Sequence, residues 1–499
     1  MTSQLLWIGI LAAASYLLGR SIYRLYFHPL SKFPGPKLAA VTHLYEFYFD
    51  AVKSGKYLWE IGRMHEKYGP IVRINPRELH IKDPYFFDSI YNSKRQGKDP
   101  YMVRVFTVPR ATVATIDHDH HRFRRELLNS FFSKRSVMGL EYIIQDKVDK
   151  VAGRLMRAHE KGAIVSLDEL FAALTADIIS HYTYGESMGI LDSEDLQNDL
   201  REAANTAGEI CHFSRFSSIT QVLLDNASWF MELIEPTSKG LFDVRRMLEH
   251  KFMLAQNTEN RKDAGPTKTI FDTLCDKTLP PEERTIERVR DEALLVLGAG
   301  TETTGRVLTV GSFHLYRDRS RLQKLREELK QVMLEPTSKI PLARLEQLPY
   351  LTAVINESLR MAHSVTIRLP RVPTTPLAYK DYTIPPGTPV SQSIYFVHTD
   401  PSVFPDPETF NPERWIEASS NGERLTRFLV PFTKGPRICL GMNLAYSELY
   451  LMFAALVRRF ELEIKTTPES IRITRDMVIG LPESGPFTVH GVVNDIVLG

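Results

Sequence analysis

Apolar residues recur at helical spacing over residues 141–160, 168–182, 285–315, 319–334 and 350–361, which predicts five helices of three turns or more. A further helix is expected over Leu444 to Leu456, LAYSELYLMFAAL. Strand-like alternation is confined to short pieces: Ile71 to Ile74, Leu79 to Ile81 and Val390 to Ile394. The stretch from Pro370 to Pro412 is proline-rich and lies between helical segments, where proline's missing amide hydrogen disfavours a long helix. The pattern predicts a mainly α fold with small β-sheets. No internal repeat or long low-complexity linker forces a second boundary in the body of the chain.

The first residues stand apart. Leu5 to Leu18 (LLWIGILAAASYLL) carry no charge, and Arg20 and Arg24 follow. No basic residue precedes the run, and bulky SIYRLYF follows it, so an uncleaved membrane anchor over residues 1–27 is expected rather than a signal peptide. Its positive flank puts the body, residues 28–499, on the cytosolic side. Phe33-Pro34-Gly35-Pro36 reads as a stiff hinge between the two.

Charge narrows the function. Sixty-two basic and 60 acidic residues leave a net charge of +2, without the basic excess of a nucleic-acid binder. The three cysteines, Cys211, Cys275 and Cys439, are too few and too scattered for a disulfide framework. Gly-x-Gly-x-x-Gly and phosphate-loop signatures are absent, so the chain carries no dinucleotide or ATP motif. His118, His120 and the other histidines lack the spacing of a helical metal site and read as ordinary polar residues.

The richest motif is Phe432-Thr433-Lys434-Gly435-Pro436-Arg437-Ile438-Cys439-Leu440-Gly441. Each residue type has a task if Cys439 is an axial iron ligand. A thiolate pushes electron density onto iron and favours O–O cleavage. Phe432 can shield the sulfur, and Gly435 and Gly441 let backbone amides approach it. Arg437 is placed to pair with a haem propionate. The positive end of the helix after the loop would favour the thiolate further. As a structural turn the same loop would need only a buried cysteine. The motif resembles the haem-binding signature of the cytochrome P450 family. The segments HPLSKFPGPKLAA, MHEKYGPIVRINPRELHI, IPPGTPV and CLGMNLAYSELYL resemble its filamentous-fungal microsomal branch, in particular trichodiene-oxygenase-like enzymes.

That resemblance assigns roles elsewhere. Ala299-Gly300-Thr301-Glu302-Thr303-Thr304 resembles the place where the family's long helix crosses the haem and opens locally, with Glu302 and Thr303 as the acid–alcohol pair of proton delivery. Glu357 and Arg360, three apart on one helix face, together with Arg414 of Asn411-Pro412-Glu413-Arg414-Trp415, resemble its structural Glu–Arg–Arg cluster. Trp415 stands where the family commonly has Phe. His121 and Arg125 resemble the ends of its Trp-x-x-x-Arg propionate helix, with His121 departing from the aromatic form. Arg371 is the second propionate partner. The resemblance implies a cytochrome P450 fold and a haem-thiolate monooxygenase in the endoplasmic reticulum membrane, probing lipid with its anchor. It also implies electrons from NADPH–cytochrome P450 reductase, docked on a basic face formed by Arg122, Arg124, Lys134, Arg135 and Lys434. Pocket positions are expected at Val103 to Phe106, Leu295, Ala299, Val365 to Ile367 and near Gly480-Leu481, with Arg368 pointing outward. Their apolar character implies a hydrophobic substrate, a terpenoid of secondary metabolism foremost. A polyketide or aromatic acid, a non-oxygenating haem-thiolate isomerase and a non-catalytic haem sensor are the alternatives.

Overall fold

The long helix Ile286–Arg317 organises the molecule. Its first turn is capped by Thr285, whose hydroxyl accepts from the amide of Arg288 at 3.3 Å. It crosses the helix Leu167–Tyr184, which is buried on nearly every side and therefore belongs to the core rather than to a surface layer. Gly300 permits that crossing. A Cβ there would sit 2.9 Å from Cβ of Ile179 and closer still to its Cγ1. The helices Pro349–Ala362, Met442–Arg459 and Glu141–Lys161 complete the main core, with Leu308, Phe313, Leu351 and Phe453 at or below 2% exposure. Full burial of such a side chain contributes roughly 1.5–3 kcal/mol each.

This computed structural model describes residues 2–497 apart from 94, 218, 227–232, 234–238, 258–268, 484 and 486. Among the described residues four small sheets flank the helices. The largest runs in the order Ile71–Arg73, Leu79–Ile81, Val390–Ser391, Arg371–Pro373 and Gln96–Lys98, with Leu79–Ile81 parallel to Val390–Ser391. The third and fourth of these strands bring Pro373 and its neighbours back beside Gln96. A second sheet joins Ile164–Ser166, His490–Ile496 and Phe460–Ile464. Two hairpins, Leu377–Tyr379 with Tyr382–Ile384 and Arg475–Met477 with Ile479–Leu481, make up the rest.

The mainly helical fold with small sheets follows the hydrophobic pattern, with local differences. The helix expected over 319–334 ends at Lys330, and the one after the cysteine loop is longer than its apolar run, Met442–Arg459. The strand expected over Val390 to Ile394 is only Val390–Ser391, because Ile394 already starts the short helix Ile394–His398. The long helix stays unbroken through residues 298–304, so the local opening expected there is corrected. Thr303 Oγ1 donates to the carbonyl of Ala299 at 2.9 Å, and Thr175 Oγ1 donates to that of Thr301 at 2.6 Å. At the N-terminus, Thr2–Phe27 is the one helix among the described residues long and apolar enough to cross a membrane, and none of its apolar window is buried.

Candidate active site

The loop before the helix Met442–Arg459 is held by its own backbone. The amide of Cys439 donates to the carbonyl of Phe432 at 2.9 Å, and that of Ile438 to Gly435 at 3.0 Å. Gly435 has φ 72° and lies against the 91–92 backbone, where a Cβ would come within 2.2 Å of the Tyr91 carbonyl. Only glycine fits. Gly441 has no such constraint, for its φ is −81° and a Cβ would meet no protein atom within 4 Å. Its amide instead approaches the Cys439 sulfur. Of the three cysteines Cys439 alone is exposed; Cys211 is buried and Cys275 half-buried. The surrounding protein still desolvates the Cys439 thiol and raises its pKa, while the Gly441 amide and the Arg125 charge oppose that rise. A side chain both accessible and desolvated lines a deep cleft. Phe432 packs beside the loop, its ring 5.5 Å from that of Tyr446.

Around this cysteine the fold gathers cations, with Asp117 the carboxylate that opposes their effect on Arg437. Arg125 donates to the Ile438 carbonyl at 2.6 Å, and Arg437 to those of Thr115 and Ile116 at 2.7 and 3.0 Å. Arg371 donates to the Leu369 carbonyl at 3.0 Å and lies over the ring of Tyr91. Lys98, on the strand paired with Arg371–Pro373, donates to the carbonyl of Val113 at 2.6 Å. Among the described residues none of these four makes an ion pair with a carboxylate within 4.0 Å, and Arg437 Nε is buried without a partner. Burial first, then their mutual repulsion, lowers Arg437 to about 9 and holds Lys98 well below its usual value. His121, buried beside them, is pushed down to about 3 by burial and by Arg437, Lys98 and Arg125. Such a cluster is unfavourable alone and favourable around a dianion. A sulfur donor beside cations for two carboxylates fits a haem. Lys98 escaped the sequence reading because it sits in a three-residue strand with no motif around it.

On the long helix, Leu295, Ala299 and Thr303 recur every four residues and so share one face, on which Ala299 and Thr303 are more open than the residues either side of them. Glu302 turns elsewhere. Its Oε1 lies 3.1 Å from Nε of Arg201, which also pairs with Asp168 at 2.6 Å. Burial alone would lower the Arg201 guanidinium, but Glu302 and Asp168 outweigh it and hold it raised. The structure thus puts Thr303 on the cleft and does not hydrogen-bond it to Glu302. Beside the cleft, Met102, Val105, Cys211 and Ile367 form an apolar cluster with Phe106, Val365, Leu369 and Val478 against them. Arg368, expected to point outward rather than into the cavity, engages carboxylates of the protein. It is buried and paired with Glu78 at 2.9 Å and with Glu46, which also pairs with Arg215.

The Glu–Arg–Arg residues come together behind the loop. Arg360 grips both oxygens of Glu357 at 2.9 and 2.8 Å, and Arg414 adds a bond at 3.2 Å. Arg360 also holds the carbonyls of His398 and Pro407, and His398 in turn accepts from the amide of Val430 at the start of the cysteine loop. The Trp415 indole N–H donates to Glu357 at 3.0 Å, a bond that Phe cannot make. The basic docking face is reduced. Arg124 is nearly buried, clasping Glu283 at 2.8 Å, and Lys434 pairs with Asp88 at 2.6 Å. Arg122, Lys134 and Arg135 remain exposed.

Comparison with known proteins agrees with this geometry. The family model for cytochrome P450 matches residues 38–488. The chain is 44% identical to cytochrome P450 monooxygenase aflU of Aspergillus parasiticus, over 99% of this chain and 100% of that protein. It is 44% identical to conidiogenone synthase PchP450 of Penicillium rubens, over 96% of each chain. Cytochrome P450 monooxygenase TRI4 of Fusarium sporotrichioides is 41% identical, over 96% of this chain and 93% of its own length.

Proposed function

The chain belongs to the cytochrome P450 family and is an oxidoreductase of its monooxygenase class, and from that premise we propose that it inserts one oxygen atom of O2 into a hydrophobic small molecule, by hydroxylation or epoxidation. Membership implies a haem-thiolate cofactor. Cys439 is the residue to hold its iron, with Arg437, Arg371, Arg125, His121 and Lys98 on the propionates. Bound there, the haem supplies the activation of dioxygen. The protein's own groups do the rest. Phe432 and the Gly441 amide shield and tune the sulfur. Thr303 presents its hydroxyl at the cleft, where it can hand on a proton. Glu302, kept beside Arg201, is the acid that resupplies that proton after a change of rotamer.

The observation that carries the substrate reading is the pairing of Arg368 with Glu46 and Glu78. Arg215, which touches Met102 Sδ at 3.4 Å, is likewise paired with Glu46 and Asp50, so both arginines near the Met102–Val105–Cys211–Ile367 cluster are already matched by carboxylates of the protein. A terpenoid or similar scaffold suits such a wall better than an aromatic acid. The synthesis of conidiogenone, named for one relative, supports a role in making a small molecule. Residues 1–27 serve as the anchor in the endoplasmic reticulum membrane, residues 28–499 as the catalytic body, and NADPH–cytochrome P450 reductase as the electron source.

Two measurements test this. Cys439→Ser should abolish the red-shifted Soret band of the ferrous–CO complex, while Cys211→Ser and Cys275→Ser keep it; the reverse pattern sinks the ligand assignment. Titration of the ferric enzyme with sesquiterpene hydrocarbons should give saturable spin-state shifts. Saturable shifts with benzoate-like acids alone, abolished in Arg368→Ala, would overturn the substrate class.

A further inference from the structure

One turn beyond Glu302 the long helix buries an arginine without a carboxylate partner. Arg306 is 5% exposed, donates to the Gly480 carbonyl and lies over the Phe487 ring at 4.2 Å. Among the described residues no carboxylate oxygen comes within 4.0 Å of its nitrogens, and its Nε is buried without a hydrogen bond. Burial lowers the guanidinium to about 10, Glu302 opposes that fall and Arg201 adds to it, so Arg306 is still a cation at neutral pH. Glu302 Oε1, 3.1 Å from Arg201 Nε, is likewise buried and makes no hydrogen bond. An unmet donor and an unmet acceptor thus stand four residues apart, the spacing at which a glutamate meets a basic residue on one helix face. Helical side chains lean toward the N-terminus, which brings Arg306 back over the turn of Glu302. At about 100° per residue, Arg306 lies roughly 40° round the axis from Glu302 and roughly 60° from Thr303, between the two.

We propose that Arg306 is a positioning residue for proton delivery, receiving the Glu302 carboxylate on the Thr303 side of the helix when that group leaves Arg201. The inference rests on Glu302 being the acid that resupplies Thr303. Arg201 releases Glu302 at small cost, because it keeps Asp168 at 2.6 Å, and Asp168 is held in turn by the Val489 amide at 2.9 Å. Arg306 gains a carboxylate where it has none. Holding the Gly480 carbonyl does not by itself call for a charge, since a neutral donor would do so at a lower desolvation cost. The protons balance as follows. Glu302 takes one from water beside Arg201, and its O–H bond breaks as one forms to Thr303 Oγ1. The proton that Thr303 held leaves toward the cleft, and Arg306 Nε meets the carboxylate left behind. The electrons are those of the external donor.

The full-length haem protein is assayed in phosphatidylcholine vesicles with NADPH–cytochrome P450 reductase and a sesquiterpene hydrocarbon as probe. Arg306→Gln should cut product per NADPH fivefold or more and divert the difference to peroxide, with the probe's spin-state Kd within twofold of wild type. Peroxide per NADPH is read without the probe as well, so the comparison does not depend on the substrate. Oxidation driven by cumene hydroperoxide, which brings its own oxygen and electrons and bypasses the relay, should keep its wild-type rate. Arg306→Lys should restore at least half of the coupling. Glu302→Gln should lose as much as Arg306→Gln, and the double variant no more than either. Wild-type coupling in Arg306→Gln overturns the proposal, and so do losses that multiply in the double variant. A weakened Kd with an equal loss in the cumene hydroperoxide reaction reduces Arg306 to an anchor of the Gly480 hairpin and overturns it too. If Arg306→Gln takes up no haem, Arg201→Gln decides: with Arg306 left as its cation, Glu302 should keep coupling within twofold, and a collapse sinks the idea. Wild-type coupling in Glu302→Gln is a different result, which defeats the role given to Glu302 itself.

Discussion

Two arginine-rich regions of this molecule are built on opposite principles. Around Glu357 every guanidinium is matched: Arg360 and Arg414 share one carboxylate, Trp415 completes it, and Arg360 and Glu357 are wholly buried. Around Cys439, Lys98, Arg125, Arg371 and Arg437 bind only carbonyl oxygens and repel one another. The first arrangement is self-sufficient and holds the chain together. The second is incomplete as protein and asks for an anionic ligand. The partner of a buried arginine, carboxylate or carbonyl, thus distinguishes the two regions where composition cannot.

Removing charge should have opposite consequences in the two regions. Glu357→Ala strands two buried guanidinium groups and should cost about 3–5 kcal/mol, read as a collapse of thermal stability in both haem-free and haem-loaded protein. A loss under 1 kcal/mol would show that the cluster is not self-sufficient. Arg437→Leu removes a repelled charge whose Nε has no partner. The haem-free protein should melt at the wild-type temperature or above it. Haem transfer to apomyoglobin should accelerate tenfold or more, about 1.4 kcal/mol. Destabilisation of the haem-free form to the extent seen at Glu357 would erase the contrast.

A third kind of buried charge sharpens it. Asp476 is held by the Thr366 hydroxyl at 2.8 Å and the Val478 amide at 3.1 Å rather than by an arginine, and burial raises its pKa to about 6. Between its unfolded value near ~4 and about 6 the native state binds the extra proton, so stability falls as pH rises through that window. Asp476→Asn keeps an acceptor for both donors and cannot ionise. It should therefore be more stable than wild type at pH 7.5, on the order of 1–2 kcal/mol, with the advantage fading below about pH 4. An advantage independent of pH would assign the effect to packing instead.

What the sequence made legible was whatever is local. The cysteine loop is ten consecutive residues, and the long helices announce themselves by period. Arg371 and Arg125 could be placed through motif spacing. Lys98 could not, because its neighbours in the cluster come from three other segments of the chain. The partners of Arg368 were hidden for the same reason: Glu78 and Glu46 lie 290 and 322 residues away. Glu302 and Thr303 are adjacent in sequence, yet consecutive helical residues point about 100° apart, and only Thr303 reaches the cleft. The helices Asp199–Phe216 and Lys239–Asn257, which the periodicity did not single out, take their place from tertiary packing against the long helix.

The bond from Arg437 to the Thr115 carbonyl has a temporal meaning as well, since it joins residues 322 positions apart. At a synthesis rate of about 5–20 residues per second, roughly 15–65 s pass between the emergence of the two. For most of that interval the nascent chain carries Lys98 and Arg125 but neither Arg371 nor Arg437, and Cys439 comes only after it. The Gly435 backbone, meanwhile, has yet to meet Tyr91. The cradle around Cys439 is consequently complete only late in synthesis, since its last residues emerge long after Lys98 and Arg125.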